Sequence, residues 1–121
     1  MYSHVFSVDL RSCSRLVGVA GQTATNPQGQ VVGDNDFRAQ FQQVYANLQA
    51  AVEAAGGTLA SVIQLRTFLT RSEDIATFYE CRRDLYPTLF PDGVYPPNTL
   101  LVVDRLVLPE LLLEIEALAA I

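Results

Sequence analysis

The chain has 121 residues, a formal net charge of −5 and a pI near 4.6. Half of its residues are hydrophobic and 17% are charged, which excludes a disordered polymer and leaves a single domain with one core. The acidic balance and the lack of any basic run argue against a nucleic-acid partner, because a phosphate backbone is held by clusters of Lys and Arg.

No positive stretch precedes an apolar one near Met1, and Asp9 and Arg11 break up the apolar residues there, so a secretory signal is not expected. No apolar run approaches a membrane span. Cys13 and Cys81 have no metal-ligand spacing and are expected to be reduced thiols, which makes the cytoplasm the expected compartment. Nothing in the composition calls for a cofactor or a metal.

In chain order, Val5–Val8 and Arg15–Ala20 read as two strands around the polar turn Asp9–Ser14. Asn26-Pro27-Gln28-Gly29 is a turn signal leading into a short strand at Gln30–Val32. Asp36 is a good N-cap for a helix whose inner face is Phe37, Phe41, Val44, Leu48, Ala51, Val52 and Ala55. Gly56-Gly57 stops that helix. Val62–Leu69 reads as a strand. Glu73 or Asp74 then opens a second helix, with Ile75, Phe78, Leu85 and Leu89 inside and Pro87 or Pro91 at its end.

Leu100–Leu108 and Leu111–Ala119 read as two long strands joined by a short turn near Pro109-Glu110. Both are apolar on two faces, a pattern that belongs in the middle of a sheet. The predicted order is β-β-β-α-β-α-β-β, an α/β (α+β) fold with one mixed sheet and both helices on one face. The opposite face is left uncovered, and that surplus of apolar surface points to an oligomer.

This order, together with particular words, resembles the YjgF/RidA family of reactive-intermediate deaminases over nearly the whole chain. Val19-Ala20-Gly21-Gln22 is similar to the end of its glycine-bearing strand, and Asp36 to Gly57 resembles its first helix. Val62–Leu69 followed by Asp74 is similar to the next strand and helix start, and Leu113-Glu114-Ile115-Glu116-Ala117 to the closing strand. The resemblance implies a chorismate-mutase-like fold and a homotrimer with small-molecule clefts between subunits. It implies hydrolysis of imines and enamines to 2-oxo acids and ammonia, with Glu114 assisting the attacking water and Gly21 offering its backbone N–H to the ligand.

One word departs from the family pattern. Where active relatives carry Pro-Ala-Arg-Ser, this chain has Pro96-Pro97-Asn98-Thr99. The family's arginine clamps the substrate carboxylate with two parallel hydrogen bonds, whereas an amide at Asn98 carries no charge. Asn98 and Thr99 are therefore candidate ligand contacts with altered preference, and Arg105 does not fill the vacancy. Tyr2-Ser3-His4 resembles the aromatic word bordering the cleft in relatives, although five more residues than usual separate it from Gly21. Tyr2 is a candidate contact on that basis.

Glu116, two residues beyond Glu114, is expected to be a solvated or salt-bridged strand residue. Arg15, Arg66, Arg82 and Arg83 each could bring a positive charge to a cleft, and nothing in the sequence ranks them. Three functions follow: a specialised or weak imine hydrolase or metabolite binder, an ordinary imine deaminase with a substitute carboxylate-binding residue, and an endoribonuclease or translation inhibitor. The acidic charge counts against the last.

Overall fold

A computed structural model describes residues 1–121. Four strands form one mixed sheet: β1 (Leu16–Thr23), β2 (Val62–Leu69), β3 (Asn98–Val102) and β4 (Leu113–Ala120), in the spatial order β1-β4-β2-β3. β4 runs antiparallel to both of its neighbours, and β2 pairs parallel with β3. Helices α1 (Phe37–Ala54) and α2 (Asp74–Leu89) are the two crossovers. Both crossovers step in the same direction along the sheet, so the right-handed rule puts both helices on one face.

The physical basis of each element is local. The Asp36 carboxylate caps α1 by accepting from the Ala39 N–H at 3.1 Å. Gly56, at φ +97°, sits past the end of α1 in the left-handed region that favours glycine. In β4 the odd residues Leu113, Ile115, Ala117 and Ala119 are buried against the helices, and the even residues lie half-buried on the other face. Leu65, Thr67 and Leu69 of β2 join the buried layer. Helix meets helix through aromatic rings: Phe41 lies edge-on to Phe78, and the fully buried Tyr45 and Tyr86 hydroxyls share a hydrogen bond of 2.5 Å.

Several expectations are corrected. Val5–Val8 is not a strand, and the residues just after it form a one-turn 3₁₀ helix at Leu10–Ser12 instead. Gln30–Val32 makes only an isolated bridge between Thr25 and Val31, because the turn over Asn26 consumes its hydrogen bonds locally. The long strand expected at Leu100–Leu108 is the short β3, which starts earlier at Asn98, ends at Val102 and lies at the sheet edge rather than its middle. Nor are the last two strands a hairpin, since β2 lies between them. Pro87 sits inside α2 and does not end it. The inner face of α2 is Phe78, Cys81, Arg82 and Tyr86, while Ile75, Leu85 and Leu89 are only partly buried.

Hydrophobic periodicity also passed over Gln40, which has no exposed surface. Its amide donates to the carbonyls of Gly33 (3.0 Å) and Glu110 (2.9 Å) and accepts from the Leu112 N–H (2.8 Å). One side chain thus ties α1 to the segment entering β4. Gln40→Leu keeps the volume and strands buried backbone groups at both ends. Each such group costs about 1–3 kcal/mol, so the variant is expected to lose about 2–4 kcal/mol in urea unfolding. A loss below about 1 kcal/mol would show that the latch does not matter.

Candidate functional site

The open face of the sheet carries two carboxylates side by side along β4. Glu114 lies opposite Thr23 of β1 and Phe68 of β2, and Glu116 lies opposite Arg66. Between Val19 and Gln22 the register of β1 slips: Ala20 and Gly21 together face Glu116, which is a β-bulge. Glu114 folds its side chain against that bulge. A Cβ added at Gly21 would sit 2.2 Å from Glu114 Oε2 and 2.5 Å from its Cδ. Gly21 is therefore required by volume and not by backbone angle, since the carboxylate occupies the space a side chain would fill.

The two carboxylates differ in surroundings. Glu116 is paired with the Arg66 guanidinium, Nη1 to Oε1 at 2.7 Å, which fulfils its expected salt-bridged role. Glu114 has no cation. Burial pushes its pKa above the ordinary carboxylate value, and the negative charge of Glu116 adds to the rise. A carboxyl group raised in this way exchanges a proton closer to neutrality than a solvated one, which is what a general acid or base requires.

The remaining expected residues divide between the two faces. Thr99 is exposed on the open face, in register with Arg66. Asn98 points to the helix side, where its Oδ1 accepts from Thr67 Oγ1 at 2.7 Å. Tyr2 is also on the helix side, with its ring 5.8 Å from the Arg82 guanidinium and edge-on to His4. Ser3 Oγ, donating to the Tyr95 carbonyl, pins the N-terminal segment beside the chain that leads into Asn98. One chain thus brings Glu114 and Gly21 together, with Thr99 farther along the same face, and holds Asn98 and Tyr2 on the other.

Arg82 is the site feature that sequence reasoning left unranked among surface arginines. It is 4% exposed. The signal was present: Arg82 lies four residues after Phe78 and four before Tyr86, on one helical stripe with both. No cluster of His, Cys, Asp and Glu fit to hold a metal ion is formed, and no helix is long and apolar enough to cross a membrane.

Comparison with known proteins agrees with this architecture. The family model described as Endoribonuclease L-PSP matches residues 2–121. The chain is 33% identical over 101 residues to a RutC family protein of Pyrococcus horikoshii, covering 84% of this chain and 75% of that one. The crystal structure of YyfB from Yersinia pestis, a Rid-family protein of unknown function, superposes with a TM-score of 0.83 at 37% identity, covering 99% of this chain and 86% of that one. Escherichia coli TdcF, solved with bound serine, superposes with a TM-score of 0.77 at 31% identity over 93% of this chain and 84% of its own. The name of TdcF assigns it, provisionally, to the reactive intermediate deaminases. The chain belongs to the Endoribonuclease L-PSP family, the YjgF/RidA group of proteins.

Proposed function

We propose that this protein is a small-molecule hydrolase of imines or enamines with an altered ligand preference, working as a homotrimer in clefts between its copies. The observation that carries the reading is the Glu114 carboxylate: partly buried, unpaired with any cation, and packed on the bulge at Gly21. In the reaction, Glu114 accepts a proton from a water as its oxygen bonds to the imine carbon. Glu114 returns that proton to nitrogen, giving a carbinolamine. The hydroxyl proton then passes to nitrogen through the same carboxylate as the carbon–nitrogen bond breaks and the 2-oxo acid forms. Ammonia departs.

The division of the site between two faces supports the cleft reading. Asn98 and Tyr2 lie across the sheet from Glu114, so a complete site needs the helix side of one copy beside the open face of another. The open face also exposes Leu16 and Leu101, surface that a neighbour would cover. RNA cleavage, which the family's descriptive name suggests, is disfavoured by the net charge of −5. RNA retained on a filter at low salt and released by added salt would restore it.

Four measurements test the proposal. Light scattering should give about three times the 13.3 kDa chain mass, and a clean monomer at micromolar concentration would remove the shared cleft.

The second concerns Glu114→Gln, which should abolish hydrolysis without lowering stability. Because the folded pKa of Glu114 is raised, its stabilising contribution is complete below the unfolded value near 4.5 and is lost as pH rises through the folded value. At pH 7 the glutamine variant should therefore melt at or above the wild type. A clear drop in melting temperature would make Glu114 structural.

The third is the pH profile of the rate. Hydrolysis by the wild type should fall on the acid side of a pKa above 4.5, and that limb should be absent from any residual rate of the glutamine variant.

The last concerns substrate preference. Exchanging two charged hydrogen bonds for one neutral one at Asn98 should weaken carboxylate binding by about 30- to 150-fold relative to arginine-bearing relatives. Release of 2-oxo acid from enzymatically generated imine, compared with Asn98→Arg, measures this. Rates in the wild type matching those relatives would overturn the altered preference.

A further inference from the structure

The chain contains no lysine, so its eight cationic side chains are all arginines. Five of them pair with carboxylates. Arg15 and Arg105 donate to backbone carbonyls. Arg82 alone has neither partner, although it is the most deeply buried of the charged groups. Its Nε is the one buried side-chain polar atom in the chain without a hydrogen-bond acceptor. The Tyr86 hydroxyl, shared with Tyr45, is the one oxygen beside the guanidinium, and it is neutral.

Four aromatic rings take the place of a counter-ion. Phe78 lies 5.0 Å from the guanidinium carbon, Tyr79 5.1 Å, and Tyr2 and Tyr86 5.8 Å each. Rings attract a cation through their faces, yet none carries a negative charge and none satisfies the buried Nε–H. A desolvated guanidinium with unmet donors is unfavourable unless an anion completes it. The inner rings, Phe78 and Tyr86, are fully buried, whereas the outer ones, Tyr2 and Tyr79, are 50% and 52% exposed. Arg82 therefore lies just beneath the surface, on the helix side of the sheet with Tyr2 and Asn98.

We propose that Arg82 is an anion-binding residue whose occupant is the carboxylate of a small organic acid, flanked by the rings of Tyr2 and Tyr79. The flat, singly charged carboxylate fits for three reasons. Its two oxygens match two N–H groups of the planar fork. Its charge is balanced by one arginine, where a phosphate dianion beside an otherwise acidic chain would not be. A planar group also slides between flanking rings. This assignment rests on the small-molecule reading above.

The test uses pyruvate and its uncharged amide, pyruvamide, as probes of the full-length protein. Wild type should bind pyruvate at least about tenfold tighter than pyruvamide by calorimetry, the worth of one charge-assisted bond over a neutral one. In ¹⁵N spectra the Arg82 Nε–H resonance should move with pyruvate and stay still with pyruvamide. Arg82→Met should lose the preference and melt at or above the wild-type temperature, since it removes an unpaired buried charge. Arg82→Lys should recover part of the preference.

No discrimination by the wild type, an unmoved Arg82 resonance, or a preference surviving in Arg82→Met would each overturn the assignment. If Arg82→Met fails to fold, the wild-type spectrum decides alone. Glu114→Gln separates this idea from the hydrolase reading. Loss of hydrolysis with the pyruvate preference intact supports both, and unchanged hydrolysis with the preference intact sinks the role of Glu114 while keeping that of Arg82.

Discussion

The three hydrogen bonds of the buried Gln40 amide hold the rest of the molecule in phase. They fix Glu110 and Leu112 just before β4 begins, and β4 is the strand against which both β1 and β2 are laid. Side chains alternate along a strand with a period of two, so a slip of one residue at this entry would exchange the faces of β4. Leu113 and Ile115 would turn outward, and Glu114 and Glu116 would be driven into the helix-covered layer. An amide fits this task because it donates and accepts at once, and no apolar side chain on the inner face of α1 does either.

From that registration follows the division of labour between two identical carboxyl groups two residues apart. Arg66 sits in register with Glu116 and pairs with it. Glu114 faces Thr23 and Phe68, and its space is cleared by the missing side chain at Gly21. One carboxylate has a cation beside it and the other has none, and the charge of the first adds to the upward shift of the second. Environment, and not residue type, separates their roles.

Much of this was legible in the sequence. The cap at Asp36, the glycine stop at Gly56, the strand Val62–Leu69 and the outward pairing of Glu114 with Glu116 are local signals, and each appears where it was expected. What failed was long-range. The apolar run through Leu100–Leu108 reads as a buried strand, yet Arg105 turns back on the carbonyls of Leu106 and Val107, and the ladder stops at Val102. Val5–Val8 is apolar enough to read as a strand but pairs with no strand of the sheet. Gln40 and Arg82 were passed over because polarity predicts exposure, and each is buried by what surrounds it: backbone groups for one, aromatic rings for the other.

The hydroxyl pair of Tyr45 and Tyr86 makes the core its own optical gauge. The chain has no tryptophan and five tyrosines, so near-ultraviolet absorption comes chiefly from tyrosine. Burial raises the pKa of both phenols, more strongly for Tyr45, so in the native state they stay neutral where a free phenol, with its ordinary value near 10, would ionise. Their contribution to stability is complete below that ordinary value and drains away as alkalinity climbs through the raised ones. In strong base, then, the appearance of these two phenolates and the collapse of the interface between α1 and α2 are one event, and a spectrophotometer reads the opening of the core directly.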